Sequence, residues 1–164
     1  MFLTLACTIS IAGIYLMISR GTVGSWPMHV MTGFSGVVVL VSSFFALRAA
    51  LQKRFVEHRV WAIRLYLAAN GVLFFRIMLF GWLMVFGQLG IDFATFTGPA
   101  IMFVSVASYL LPLAVFEFYQ YSQRSGSTLI NGLFTGLMCV VSLCFLIGTA
   151  GVVMGNWYPT LFPA

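Results

Sequence analysis

Residues 129–155 read LINGLFTGLMCVVSLCFLIGTAGVVMG, without one charged side chain. A helix rises about 1.5 Å per residue, so roughly 20 apolar residues cross a hydrocarbon core about 30 Å thick. The run is long enough to do so. It lacks the in–out alternation over ~10 residues that marks a barrel strand, and therefore predicts a membrane helix. Working back along the chain, comparable runs occur at about 99–121, 59–88, 28–50 and 2–19. The expectation is an all-α protein: a single domain over 1–164, built as an integral membrane bundle of five transmembrane helices.

Composition leads to the same class. The chain of 164 residues is 62% hydrophobic and 7% charged, with a mean hydropathy of +1.06. A soluble domain carries about 25% charged residues, and so few charges could not cover a water-facing surface. The net charge is +5, but the basic residues stand near predicted helix ends, where they set topology and meet anionic headgroups. Membrane lipids, not nucleic acid, are the partners this charge implies. No basic n-region and no small-residue cleavage site precede Arg20, so 2–19 reads as a retained helix.

The connections follow. Gly21–Pro27 is a short loop ending in Trp26 and Pro27, an interfacial anchor and helix start. Arg48 to Arg59 is the charge-dense stretch, with Lys53, Arg54, Glu57 and His58. The third helix is longer than a perpendicular span requires, which predicts a tilt or first turns standing among headgroups. Asp92 lies in a loop over 90–98, Pro112 predicts a kink in the fourth helix, and 122–128 is a polar turn. Asn156, Trp157, Tyr158 and Pro159 read as an aromatic interfacial stop. Arg48, Lys53, Arg54, Arg59, Arg64 and Arg124 fall on one side, six of the 8 basic residues. That bias places the N-terminus and both turns in the cytoplasm and the C-terminus outside.

Few residues can carry chemistry. Arg76 lies about 18 Å further along the third helix than Arg64, too deep to reach either surface easily. An arginine at a helix centre costs roughly 2.5–3.5 kcal/mol on insertion scales, so it should face a compensating group. Hydroxyls and carbonyls of the fourth helix near Ser105, Ser108 or Tyr109 are one choice. A ligand such as a haem propionate or quinone is a second, and a partner subunit a third. Glu117 and Arg64 lie at similar depth on antiparallel helices, which predicts an ion-pair clamp; a proton relay through Glu117 is the alternative. His58, Arg59 and Trp61 form the cytoplasmic turn.

His29 starts the second helix on the other side, so the two histidines cannot ligate one haem within a single chain. His29 and Arg76 stay the cofactor-contact candidates, through one axial ligand or a partner's histidine. No bound cofactor is the first expectation; haem b or a quinone is the alternative. Cys7, Cys139 and Cys144 lie in apolar runs, the last two about 140° apart on a helix, and read as small hydrophobes rather than metal ligands. No nucleophile–base set or phosphate loop appears. Gly132-x-x-x-Gly136 and Gly151-x-x-x-Gly155 are small-residue packing motifs.

The stretch Phe45-Ala46-Leu47-Arg48-Ala49-Ala50, then Glu57-His58-Arg59-Val60-Trp61-Ala62-Ile63-Arg64-Leu65-Tyr66, then Arg76, resembles a family of bacterial predicted membrane proteins, domain of unknown function 2306. Ser108-Tyr109-Leu110-Leu111-Pro112 to Glu117 looks similar to its last part, so the resemblance spans roughly residues 42–122. Ala62 stands where the family has methionine, and the family's earlier histidine-bearing helices have no counterpart in residues 1–40. The resemblance singles out His58, Arg59, Trp61, Arg64, Arg76 and Glu117 and implies a bacterial inner-membrane protein, without an activity to carry over. The functional expectation is a small non-catalytic polytopic protein, an accessory or assembly subunit of a larger inner-membrane complex with other membrane subunits as partners. The alternatives are a haem- or quinone-associated electron-transfer subunit and a small transporter or lipid-binding protein.

Overall fold

Backbone N–H and C=O groups away from water must bond to one another, and the chain does so as helices. The computed structural model describes residues 2–21 and 26–161. In order these are α1 (Phe2–Arg20), α2 (Trp26–Leu51), α3 (Phe55–Ala69), α4 (Gly71–Phe86), α5 (Pro99–Ser125) and α6 (Thr128–Val152). A π-helical turn, Val153–Trp157, and a short α7, Tyr158–Leu161, follow. The described residues contain no strand, only an isolated bridge between Asp92 and Thr97 in the α4–α5 loop.

Three stretches are long and apolar enough to cross a membrane: Thr32–Leu51, Pro99–Ser125 and Thr128–Gly155. The α3–α4 pair makes a fourth if its two bent halves form one span, and Thr4–Arg20 is a shorter apolar helix. The protein is thus a helical, multi-pass membrane protein. The expectation of one helix over 59–88 is refined: α3 and α4 meet there at an angle of 50°.

The break has a local cause. Both the backbone N–H and the side-chain amide of Asn70 donate to the carbonyl of Tyr66, at 3.2 and 2.8 Å. A side chain inserted into the helical ladder bends it. Gly71 then leaves the room that the Tyr109 ring of α5 occupies; any Cβ there would overlap the ring. Pro112, expected to kink its helix, lies within α5, which runs unbroken from Pro99 to Ser125. The expected stop at Asn156–Pro159 is also corrected, since helical backbone continues through the π turn to Leu161. The Gly21–Pro27 loop falls partly on residues 22–25, outside those described.

Lipid tails give apolar side chains no incentive to cluster, so close packing of small residues holds such helices together. The buried positions fit this: Ala46, Ala49, Ala68, Ala100, Ser42, Ser43, Ser105, Ser108 and Ser122 are all buried. A compact cluster of Ala6, Val39, Leu65 and Ala68 joins α1, α2 and α3. α4 and α6 cross closely. Gly81 faces Gly148 there, and a Cβ on Gly148 would run into the carbonyl oxygen of Ile77. Gly151 packs in the same seam against Phe80 and Met84, and Gly155 against the Phe80 ring. Gly132 and Gly136, the other pair singled out in the sequence, have nothing within 4 Å that a Cβ would meet.

The helices alternate in direction, so the α2–α3 and α5–α6 turns share one end of the bundle. At the first turn, the N–H of Arg54 bonds the carbonyl of Ala49 and that of Lys53 bonds Ala50. This is the Schellman pattern of helix termination. Lys53 takes the left-handed position with φ 57°, where glycine is usual.

Candidate functional site

At the turn end three helices are clasped by one chain of contacts. The ring of Phe45 on α2 stacks on Trp61 of α3, with centroids 4.6 Å apart and planes 19° from parallel. The Arg64 guanidinium lies over the Trp61 ring, 4.5 Å from its centroid. From there Arg64 reaches α5, where its Nε donates to Glu117 Oε1 at 2.7 Å and its second terminal nitrogen lies 2.7 Å from the same oxygen. One turn before Trp61, Nδ1 of His58 lies 2.8 Å from the carbonyl oxygen of Ala46. A carbonyl only accepts, so Nδ1 carries the proton. Two α3 residues thus grip α2, and a third grips α5.

Depth matching alone predicts the Arg64–Glu117 pair, and the structure contains it. Its setting is partly exposed rather than buried: the side chains are 24% and 53% exposed. Exposed pairs contribute typically 0.2–1 kcal/mol, and the cation–π contact adds about 0.5–1 kcal/mol. The clasp orients α3 more than it stabilises it. Arg59, grouped with these residues by sequence, is exposed. His29 sits in the first turn of α2, at the opposite end of the α2–α3 hairpin from His58.

Arg76 departs from the first expectation. Its side chain is exposed rather than turned into the bundle, and among the described residues it makes no hydrogen bond or ion pair. The hydroxyls named as its interior partners bond within α5, Ser105 to the carbonyl of Ile101 and Ser108 to that of Ser105, each at 2.8 Å. Tyr109 lies against Gly71 instead. The reason is rotational. Ile77, Gly81 and Met84 turn toward α6, and Phe74 meets Phe145 of that helix, so the intervening Arg76 points out. Val72 and Leu73, 58% and 51% exposed, flank it.

All three carboxylates of the chain are engaged elsewhere. Glu57 pairs with Arg54 at 3.3 Å, and Glu117 with Arg64. Asp92 accepts from the N–H of Ala94 at 2.9 Å and from the Thr95 hydroxyl at 2.7 Å. These bonds, the Thr95 hydroxyl first, hold its carboxyl below the ordinary aspartate range. Among the described residues no group of three His, Cys, Asp or Glu could hold a metal ion.

Sequence reasoning did not anticipate an apolar cleft between α4, α5 and α6. Its volume is about 820 Å³, and Phe74, Met78, Leu111, Pro112, Met138 and Phe145 are among its lining residues. Toward one end Phe134 meets Phe118 and Tyr119, and toward the other Trp82 packs near Phe86 and Phe103. The Ser122 hydroxyl donates to Asn131 Oδ1 at 2.6 Å, pinning α5 to α6 beside their turn. Such a cleft can hold an apolar chain, and Tyr119, Trp82 and Cys144 are among its lining residues that carry a polar or thiol group. No protein-family model, curated protein or solved structure matches the chain.

Proposed function

We propose that the protein is a small, non-catalytic accessory or assembly subunit of a larger complex in the bacterial inner membrane. The observation that carries this reading is Arg76, a cation on the outer surface of a membrane-crossing helix whose chain has committed every carboxylate elsewhere. A chain meant to stand alone in lipid gains nothing from that placement, which costs roughly 2.5–3.5 kcal/mol. A subunit that receives a neighbour does. The engaged state of Glu57, Asp92 and Glu117 supports a structural role, because each has a partner within the chain.

In this reading α1 and the bent α3–α4 pair each span, giving five spans. The turn end faces the cytoplasm because Arg48, Lys53, Arg54, Arg59, Arg64 and Arg124 gather at or near it. The test is native mass spectrometry after mild solubilisation of the membrane. Recovery in a stoichiometric assembly with another membrane chain is expected; a lone chain in every mild detergent would overturn the reading.

The apolar cleft supports a second reading, a subunit that carries a lipid or quinone tail. It would be tested by organic extraction of the purified chain. A molecule retained through purification at one per chain supports it, and extracts matching the detergent micelle alone refute it.

A further inference from the structure

The accessory-subunit reading names no partner, and the surroundings of Arg76 specify one. We propose that the outward face of α4 around Arg76 docks a transmembrane helix of a different protein, one that presents an aspartate or glutamate at the same depth. The inference rests on the accessory-subunit reading and adds the chemistry of the contact.

The face is a helix-docking stripe. Val72, Leu73 and Arg76 follow one another on α4 at spacings of one and three residues and are all exposed. Those spacings bring them to one side of a helix. Two other sides of α4 meet neighbours within the chain. Gly71 receives Tyr109 of α5, while Gly81, Phe80 and Met84 meet Gly148 and Gly151 of α6. A third side lines the apolar cleft through Met78, Trp82 and Val85. The arginine side is open to something outside the chain and is the one that carries a charge.

Depth then selects the kind of anion. Arg76 lies about 9 Å past the bend at Asn70 and about 15 Å before the end of α4 at Phe86. Gly87, Gln88 and Gly90 begin a polar loop there, which places the membrane edge near Phe86. Half of a hydrocarbon core of about 30 Å is about 15 Å, so Arg76 sits near mid-depth and the phosphate layer lies beyond it. An anion at mid-depth comes from a side chain on another helix. The planar guanidinium pairs with a carboxylate through two parallel hydrogen bonds, and such a pair gains strength where water is scarce.

Acid bookkeeping removes the second copy of this chain. It contains three acidic residues in all: Glu57 in the turn, Asp92 in the loop and Glu117 in the clasp. None stands at the depth of Arg76.

The test uses the full chain in its native membrane, with a photo-crosslinking residue at Leu73, beside Arg76 but leaving it in place. The expected product is an adduct with another membrane protein whose crosslinked helix contains an acidic residue. Its yield should fall about tenfold in Arg76→Leu and survive in Arg76→Lys. Arg76→Glu should abolish it, and replacing the partner's acid by arginine should restore it. An adduct with a second copy of the chain, an adduct with phospholipid alone, or a yield indifferent to Arg76→Leu would each overturn the proposal. Unchanged thermal unfolding of purified Arg76→Leu shows that a lost adduct is not a lost fold. If that variant still travels in the wild-type assembly, the docking proposal falls while the accessory reading stands. If the wild-type chain travels alone, both fall.

Discussion

Arg64 and Arg76 lie on the two arms of one bent helical path, and the protein treats them in opposite ways. Arg64 stands near the turn end, covered on one face by Trp61 and bonded to Glu117. Arg76 stands beyond the bend, exposed, with no counter-charge among the described residues. The same side chain therefore serves as an internal tie where Trp61 and Glu117 meet it, and as an outward contact where nothing within the described chain does. The difference lies in azimuth. The bend at Asn70 and the crossing with α6 together fix which way each arm of the path turns its arginine.

The largest effect should come from breaking that crossing. Gly148→Val puts a branched side chain where the Ile77 carbonyl already sits. Overpacking of this kind costs about 1–3 kcal/mol, with backbone contact placing it at the upper end. We expect a loss of about 3 kcal/mol in detergent-denaturation experiments, and with it the outward setting of Arg76. Gly136→Val on the same helix meets nothing within 4 Å and should leave stability nearly unchanged. Equal losses at the two positions would mean that the α4–α6 seam does not set the azimuth.

Next comes the contrast itself, measured as a double-mutant cycle. Arg64→Ala and Glu117→Ala should show a coupling of about 0.5–1 kcal/mol, the range for partly exposed pairs. Arg76→Leu in the purified chain should shift stability by less than about 0.5 kcal/mol, because no internal partner is lost. A large loss on Arg76→Leu in isolation would show that the arginine is part of the fold. Of comparable size and opposite sign, Lys53→Gly should stabilise the α2–α3 turn that carries the clasp. A non-glycine residue with φ 57° gives up about 1 kcal/mol relative to glycine. Thermal unfolding would check it, and an unchanged or lower midpoint would remove the strain assigned to Lys53.

These contrasts mark where sequence reading ends. The helices were legible because membrane burial needs long apolar runs, and 129–155 is one. The Arg64–Glu117 tie was legible because depth follows from counting residues along antiparallel helices. Azimuth was not. Arg76 is surrounded in sequence by Phe74, Phe75, Ile77 and Met78, apolar on every side, so no amphipathic stripe says which face turns inward. The bend was hidden for a related reason, since hydropathy stays high across it. The Asn70-Gly71 pair, a breaker signal within an apolar run, was the available clue. Gly132-x-x-x-Gly136 and Gly151-x-x-x-Gly155 have the same spacing, and only the position of α4 tells the packed pair from the open one.

Asp92 supplies the smallest and sharpest extension of the comparison, because it holds a charge in a third way. Arg64 is met by an opposite charge, while Asp92 is met by neutral donors, the Thr95 hydroxyl and the Ala94 and Thr95 N–H groups. Those donors favour the ionised carboxylate and lower its titration below the ordinary 3.8. A group whose folded-state value is depressed stabilises the fold above its unfolded value and loses that contribution as the pH falls through the folded value. The loop should therefore gain from Asp92 at neutral pH and lose the gain only below about pH 4. In a pH series of thermal unfolding, the wild type should exceed Asp92→Asn at neutral pH and converge on it in acid. Thr95→Val, which removes the first donor, should move that convergence upward toward the ordinary aspartate value. A wild-type advantage that persisted unchanged into strong acid would mean that packing of the 92–97 loop, not ionisation of Asp92, holds it. Hydrogen-bond donors would then have no part in keeping a charge at this end of the molecule, and the contrast would reduce to the two arginines.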